Sequence, residues 1–104
     1  MKDERRRYLK IGIIKHKTSD IKKHDIILAI RRGVKEQFGN FGLVKMDPRL
    51  VDYNEQEGEA LLSTGHMYVE QLRAALAMVT YINTCPVTLH VTGISGTLKK
   101  LRKG

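Results

Sequence analysis

The sequence predicts an α+β fold in which a four-stranded antiparallel sheet carries two helices on one face, in the order β-α-β-β-α-β. Three observations predict it. Two apolar runs alternate with a period of two, near the beginning and the end of the chain. Two longer stretches repeat their apolar residues with helical spacing. Between these stretches lies an acidic turn flanked by short apolar segments, which reads as a hairpin. With right-handed crossovers, strands one and three of the four occupy the centre. The order is then 4-1-3-2, the ferredoxin-like topology, with a basic helix following the last strand.

The first strand is read over Tyr8 to Lys15, with Leu9, Ile11 and Ile13 on one face and Tyr8, Lys10 and Gly12 on the other. Thr18, Ser19 and Asp20 are candidate caps for a helix that begins near Ile21 or His24 and runs to Phe38. Its apolar stripe is Ile26, Ile27, Ile30, Val34 and Phe38, and Gly39-Asn40 supplies a C-terminal stop. Gly33 costs about 1 kcal/mol relative to Ala inside a helix, which calls for a close packing partner. The stretch Phe41 to Met46 fits either a helical turn or the start of a strand, and Pro48 delays the second strand to about Arg49. Gly58 to Ser63 is the third strand. A second helix is expected from His66 to Asn83, buried through Tyr68, Leu72, Ala75, Leu76, Val79 and Ile82 and stopped by Asn83-Thr84-Cys85-Pro86. The fourth strand is Val87 to Thr92, with Val87, Leu89 and Val91 inward. A turn through Gly93-Ile94-Ser95-Gly96-Thr97 then enters the basic helix.

At 104 residues one domain, 1–104, is the expectation, with no repeat or linker. The single cysteine, Cys85, allows no internal disulfide and suits a reducing compartment. No apolar run approaches the roughly 20 residues of a membrane span, and the N-terminus lacks the apolar core of a signal peptide. A soluble, cytoplasmic protein is therefore expected.

The net charge of +8 is unevenly placed. From Leu50 to Leu72 there is no Lys or Arg, while Asp52, Glu55, Glu57, Glu59 and Glu70 make the window −5. The remainder holds all 19 bases and six acids, hence +13, which points to a polyanion, most commonly nucleic acid. By contrast, His16, His24, His66 and His90 lack zinc-ligand spacing, no carboxylate pair can be placed beside a His or Ser, and no Walker or dinucleotide glycine pattern occurs. No catalytic or metal site is expected, and no cofactor.

The tail Gly93-Ile94-Ser95-Gly96-Thr97-Leu98-Lys99-Lys100-Leu101, the opening Arg7-Tyr8-Leu9, and Arg73-Ala74-Ala75-Leu76 with Tyr81-Ile82-Asn83 resemble, in this order and spacing, the archaeal Pop5 family of ribonuclease P proteins. The resemblance covers about Arg6 to Arg102. It implies an RRM-like α/β sandwich and a noncatalytic subunit of the ribonucleoprotein that removes the 5′ leader from precursor tRNA. The RNA would carry the chemistry. The implied partners are the ribonuclease P RNA, precursor tRNA indirectly, and a TIM-barrel protein subunit, with no membrane. Many relatives look basic after the third strand, where this chain has Ser63-Thr64-Gly65, and its hairpin is acidic. RNA contact is therefore expected away from that end of the sheet.

The expected RNA-binding residues are Arg6, Arg7, Lys10, Ser95, Thr97, Lys99, Lys100, Arg102 and Lys103. Gly93 and Gly96 would allow positive φ and a close backbone approach, Ser95 or Thr97 would cap the helix or donate to a phosphate, and the cations would neutralise phosphates. Leu98 and Leu101 would anchor the tail on the sheet. Stacking on Tyr8 in the manner of an RRM is disfavoured, because the third strand has no aromatic residue. Lys22, Lys23, Arg31, Arg32 and Lys35 form a second basic surface, which reads as a solvated helix face. The alternative function is a regulatory module in which the glycine turn holds a small anionic metabolite. A stand-alone nuclease lacks a catalytic constellation.

Overall fold

The computed structural model describes residues 5–103, with the backbone alone at 102 and 103. The elements are β1 (Arg6–Lys15), α1 (Lys23–Met46), β2 (Arg49–Asn54), β3 (Glu59–Gly65), a 3-10 turn (His66–Tyr68), α2 (Val69–Ala77), β4 (Tyr81–Ile82), β5 (Cys85–Ser95) and α3 (Leu98–Lys103). All strand pairs are antiparallel, in the order β2-β3-β1-β5-β4. The expected four strands in order 4-1-3-2 are thus corrected to five. The four long strands stand in the order β2-β3-β1-β5, and β4 adds a short edge beside β5.

Leu9, Ile11 and Ile13 of β1, Ala60 and Leu62 of β3, and Val87 and Leu89 of β5 lie buried on one face of the sheet, as period two requires. They pack against Ile26, Ala29, Ile30 and Val34 of α1 and Leu72, Ala75 and Leu76 of α2. Gly33 is buried where the helices meet: a Cβ there would stand 2.9 Å from Val79 Cγ2, which is the close partner its presence called for. The opposite face carries Tyr8, Lys10 and Gly12 and is partly covered by α3. A Cβ on Gly93 would stand 3.0 Å from Leu101 Cδ2.

Four local expectations are corrected. Helix α1 does not end at Gly39: that residue takes φ 76°, ψ 179°, breaks the helix, and a second helical segment continues to Met46. The left-handed C-cap is Asp47, φ 46°. Phe38 therefore ends exposed at the kink rather than in the core. At the other end, none of Thr18, Ser19 or Asp20 caps α1. The N-cap is Lys22, whose backbone N–H donates to Asp25 Oδ2 at 3.0 Å, and that bond holds the Asp25 carboxyl below its usual value. Helix α2 stops at Ala77 instead of Asn83, because Tyr81-Ile82 turns back through a two-residue loop, with Asn83 at φ 57°, to pair with Cys85-Pro86. Strand β5 runs on to Ser95 through a register shift opposite Lys10/Ile11, so Gly93 and Ser95 belong to a strand and not to a turn.

One buried hydrogen bond ties the end of α1 to the sheet. Thr64, fully buried, donates from Oγ1 to the Met46 carbonyl at 2.9 Å. Thr64→Val keeps the shape and leaves that carbonyl without its partner, so it is expected to cost about 1–3 kcal/mol. Urea titration should show a lower midpoint at unchanged slope. An unchanged midpoint would show that the bond contributes nothing net.

Candidate nucleic-acid interface

The start of β1 and the end of β5 meet at one end of the sheet. Tyr8 pairs with Ser95, Leu9 with Ile94 and Lys10 with Gly93, while Arg6 and Arg7 stand opposite Gly65 and Thr64 of β3. RNA contact was expected to lie away from Ser63-Thr64-Gly65; that placement is corrected, because the β1–β3 register brings this stretch to the same end. An open groove there is lined by Arg5, Arg6, Arg7, Tyr8, His66 and Gly96. Two segments far apart in sequence, the arginine run and the glycine turn, thus form one surface. The backbone reinforces it: His66 N–H donates to the Arg5 carbonyl at 3.0 Å. Helix α3 follows directly and carries Lys99 and Lys100, both exposed.

Each expected RNA-binding residue takes a definite place. Arg7 is exposed at this end, and so is Thr97. Arg6 is instead half-buried: its Nη2 donates to the Asp47 carbonyl at 2.8 Å and to Ser63 Oγ at 2.7 Å, and Nη1 lies 3.5 Å from Asp47 Oδ2. Those bonds fasten the α1–β2 corner to β1. Lys10, on the outer face, lies 3.7 Å from Glu59 Oε1 in a groove shared with Asp52, Leu61 and Leu101. Ser95 is 8% exposed, and its hydroxyl accepts the Thr97 N–H at 3.1 Å, so it shapes the turn rather than facing outward. Neither Gly93 nor Gly96 takes a positive φ. Gly93 makes room for Leu101, and Gly96 leaves open space beside the groove. The side chains of Arg102 and Lys103 lie outside the described residues. Leu101, 8% exposed, and Leu98, half-buried, hold α3 on the sheet as expected.

The acidic hairpin tip lies elsewhere. The β2–β3 hairpin tip sits at the far end of β1, where Ile13 N–H donates to the Gly58 carbonyl at 2.7 Å. Tyr53 points inward from β2 and donates to the Ile21 carbonyl at 3.0 Å, and burial pushes its hydroxyl pKa up. The hairpin acids therefore lie toward the far end of β1, where Lys15 and Lys17 also stand, and Glu59 pairs with Lys10. Among the described residues no group of three or more His, Cys, Asp or Glu could hold a metal ion, and no helix is long and apolar enough to cross a membrane.

Sequence reasoning missed two features. A groove between α1 and β2 gathers Lys23, His24, Arg31 and Arg49 around Ile27, Pro48 and Leu50. The helix cations were legible, but their meeting with Arg49 depends on how α1 lies against β2. On the second segment of α1, Phe41 and Val44 are 75% and 76% exposed, with Lys45 Nζ 5.3 Å from the Phe41 ring.

The sequence profile of the Rpp14/Pop5 family matches residues 7–104. The chain belongs to that family. It is 29% identical over 96% of its length to ribonuclease P protein component 2 of Methanococcus maripaludis, covering 74% of that protein. It is 28% identical over 96% of its length to the component 2 of Thermococcus kodakarensis, covering 82%, and 30% identical over 92% of its length to that of Methanosarcina mazei, covering 79%. A chain in the cryo-EM structure of yeast ribonuclease MRP shares the fold, with a TM-score of 0.75, 13% identity, and coverage of 99% of this chain and 92% of that one. The stretches that resemble Pop5 proteins, Arg7-Tyr8-Leu9 and Gly93 to Leu101, are neighbours in space through the Tyr8–Ser95 pairing. The family's signature therefore lies on the basic end of the sheet.

Proposed function

We propose that this chain is a noncatalytic subunit of ribonuclease P, which binds and stabilises the catalytic RNA for removal of the 5′ leader from precursor tRNA. The observation that carries the proposal is the joining of Arg5, Arg7 and Gly96 at one end of the sheet by the family's own signature stretches, with α3 and its exposed Lys99 and Lys100 following directly. An extended row of cations suits a phosphate backbone. A small anionic metabolite would need one enclosed cradle, which argues against that alternative. The protein supplies charge and position; the reaction belongs to the RNA of the complex. The exposed Phe41 and Val44 support a protein partner, for which a TIM-barrel subunit of the same enzyme is our expectation.

The deciding experiment is reconstitution: ribonuclease P RNA with and without this chain, alone and with the TIM-barrel subunit, assayed for precursor tRNA cleavage. Faster cleavage on adding the chain is expected; no gain in either setting overturns the proposal. In direct binding, Lys99→Ala with Lys100→Ala should flatten the salt dependence. Each phosphate contact contributes about 0.7–0.9 to the log–log slope, so the pair should remove about 1.4–1.8. An unchanged slope would remove α3 from the interface.

A further inference from the structure

We infer that the basic end of the sheet continues into the groove between α1 and β2, so that a single strand of RNA follows one track from α3 to Lys23 and places an unstacked base against Ile27, Pro48 and Leu50. The inference deepens the RNA-binding function proposed above and rests on it. The groove has an apolar floor of Ile27, Pro48 and Leu50 and a rim of Lys23, His24, Arg31 and Arg49. Pro48 is buried, Ile27 and Leu50 are half-buried, and Lys23, His24 and Arg31 are exposed.

The corner Asp47-Pro48-Arg49 joins the groove to the strand end. Arg6 of β1 holds the Asp47 carbonyl and carboxylate; Arg49 pairs with the same carboxylate; and Arg31 of α1 donates from Nη1 to the Pro48 carbonyl at 3.4 Å. Two guanidiniums thus meet one carboxylate while a third bonds the adjoining Pro48 carbonyl, and the corner keeps a positive balance. From β5 across β1 and β3 to β2 is three strand spacings, about 14 Å, and Arg31 to Lys23 along α1 adds about 12 Å. Because α3 lies on the outer face and α1 on the buried one, the path also rounds the end of the sheet. The track is therefore at least on the order of 25 Å, too long for one phosphate and suited to several in succession. It ends beyond Lys23, where Lys22 is paired with Asp20 and Glu55 lies nearby, so the cations are no longer unopposed.

An apolar floor between cations has a chemical meaning. In a duplex the base faces are stacked and only phosphate and groove edges are offered. A single strand presents phosphate and a free base face together. Cationic rim and apolar floor match both parts of that ligand, so the occupant we assign is single-stranded RNA.

The test uses an oligouridylate about 16 nucleotides long, near the upper end of single-strand site sizes, with the full chain and a salt titration. Lys23→Ala with Arg31→Ala should lower the log–log slope by about 1.4, so that the affinity loss between 50 and 200 mM salt shrinks about sevenfold. Arg31→Lys keeps the charge and should retain the slope. Leu50→Ser should weaken binding without changing the slope, since it removes floor and no charge. Thermal melts of each variant check folding. If Lys99→Ala with Lys100→Ala flattens the slope while the Lys23 and Arg31 pair does not, the track is overturned and the RNA-binding proposal stands. If neither pair has an effect, the RNA-binding proposal itself fails.

Discussion

Replacing Leu101 with Ala is expected to release α3 from the sheet and to reduce RNA affinity as much as removing both Lys99 and Lys100, although every cation remains. The helix has six residues, far below the roughly 12–15 at which an isolated helix is even marginally stable in water. It persists because Leu101 fills the space left above Gly93 and Leu98 is half-buried beside it. Truncating a well-buried Leu costs about 2–5 kcal/mol, but here the loss is capped by what α3 gains from docking, since the helix can let go while the sheet remains. Hydrogen exchange should therefore quicken in Leu98–Lys103 and stay slow in β1 and β5. The salt dependence of RNA binding should fall to that of the double alanine variant. If Leu101→Ala binds RNA with the parent's affinity and slope, the α3 cations act as tethered charge and their placement is immaterial.

Gly33→Leu should have the largest effect on stability. The glycine lies buried where α1 crosses the segment after α2, and even a Cβ there would stand 2.9 Å from Val79 Cγ2 and 3.6 Å from the Ala75 carbonyl. A leucine must push α2 away from α1 or take a strained rotamer, at a cost of about 3 kcal/mol. For a domain of this size that lowers Tm by roughly 15 °C. Gly33→Ala is a sharper measurement: helix propensity favours it by about 1 kcal/mol, and the contact with Val79 opposes it by a similar amount. A clear gain in Tm for either substitution would show that the two helices yield at this point and that the close approach is not a constraint.

How much of this was legible in the sequence depended on the range of the interactions. Period two placed Leu9, Ile11, Ile13, Val87 and Leu89 in the core, and helical spacing placed Ile26, Ile30, Val34, Leu72 and Leu76 there. Tyr81-Ile82 was misread as helix because Val79 and Ile82, three apart, fit an apolar helical stripe as well as they fit the buried positions around a hairpin. The left-handed Asn83 decides between the two, and asparagine is only permissive of it. Gly39 was read as an end, and its positive φ fits that, but the chain re-enters a helix that finds its cap at Asp47. At the candidate site the basic residues were visible as types and their partners were not. Arg6 looked like its neighbour Arg7, yet it is bonded to Asp47 and Ser63, 41 and 57 residues away. Ser95 looked like a phosphate donor and instead accepts from Thr97, because the strand runs three residues beyond its expected end at Thr92.

The pairing of β1 with β5 also bears on how the protein is made. The central strand forms early in synthesis, but one of its two neighbours is near the far end of the chain, so its pairing has high contact order and closes late. The hairpin of β2 and β3 and the helix α1 can form on the emerging chain; the register of Tyr8 with Ser95 cannot. A nascent or truncated chain thus carries the Arg5–Arg7 charge without the turn and helix that complete the surface. On the proposed function, completion of the RNA-binding surface would then be timed by the pairing of β5 with β1, and a chain lacking β5 would lack that surface.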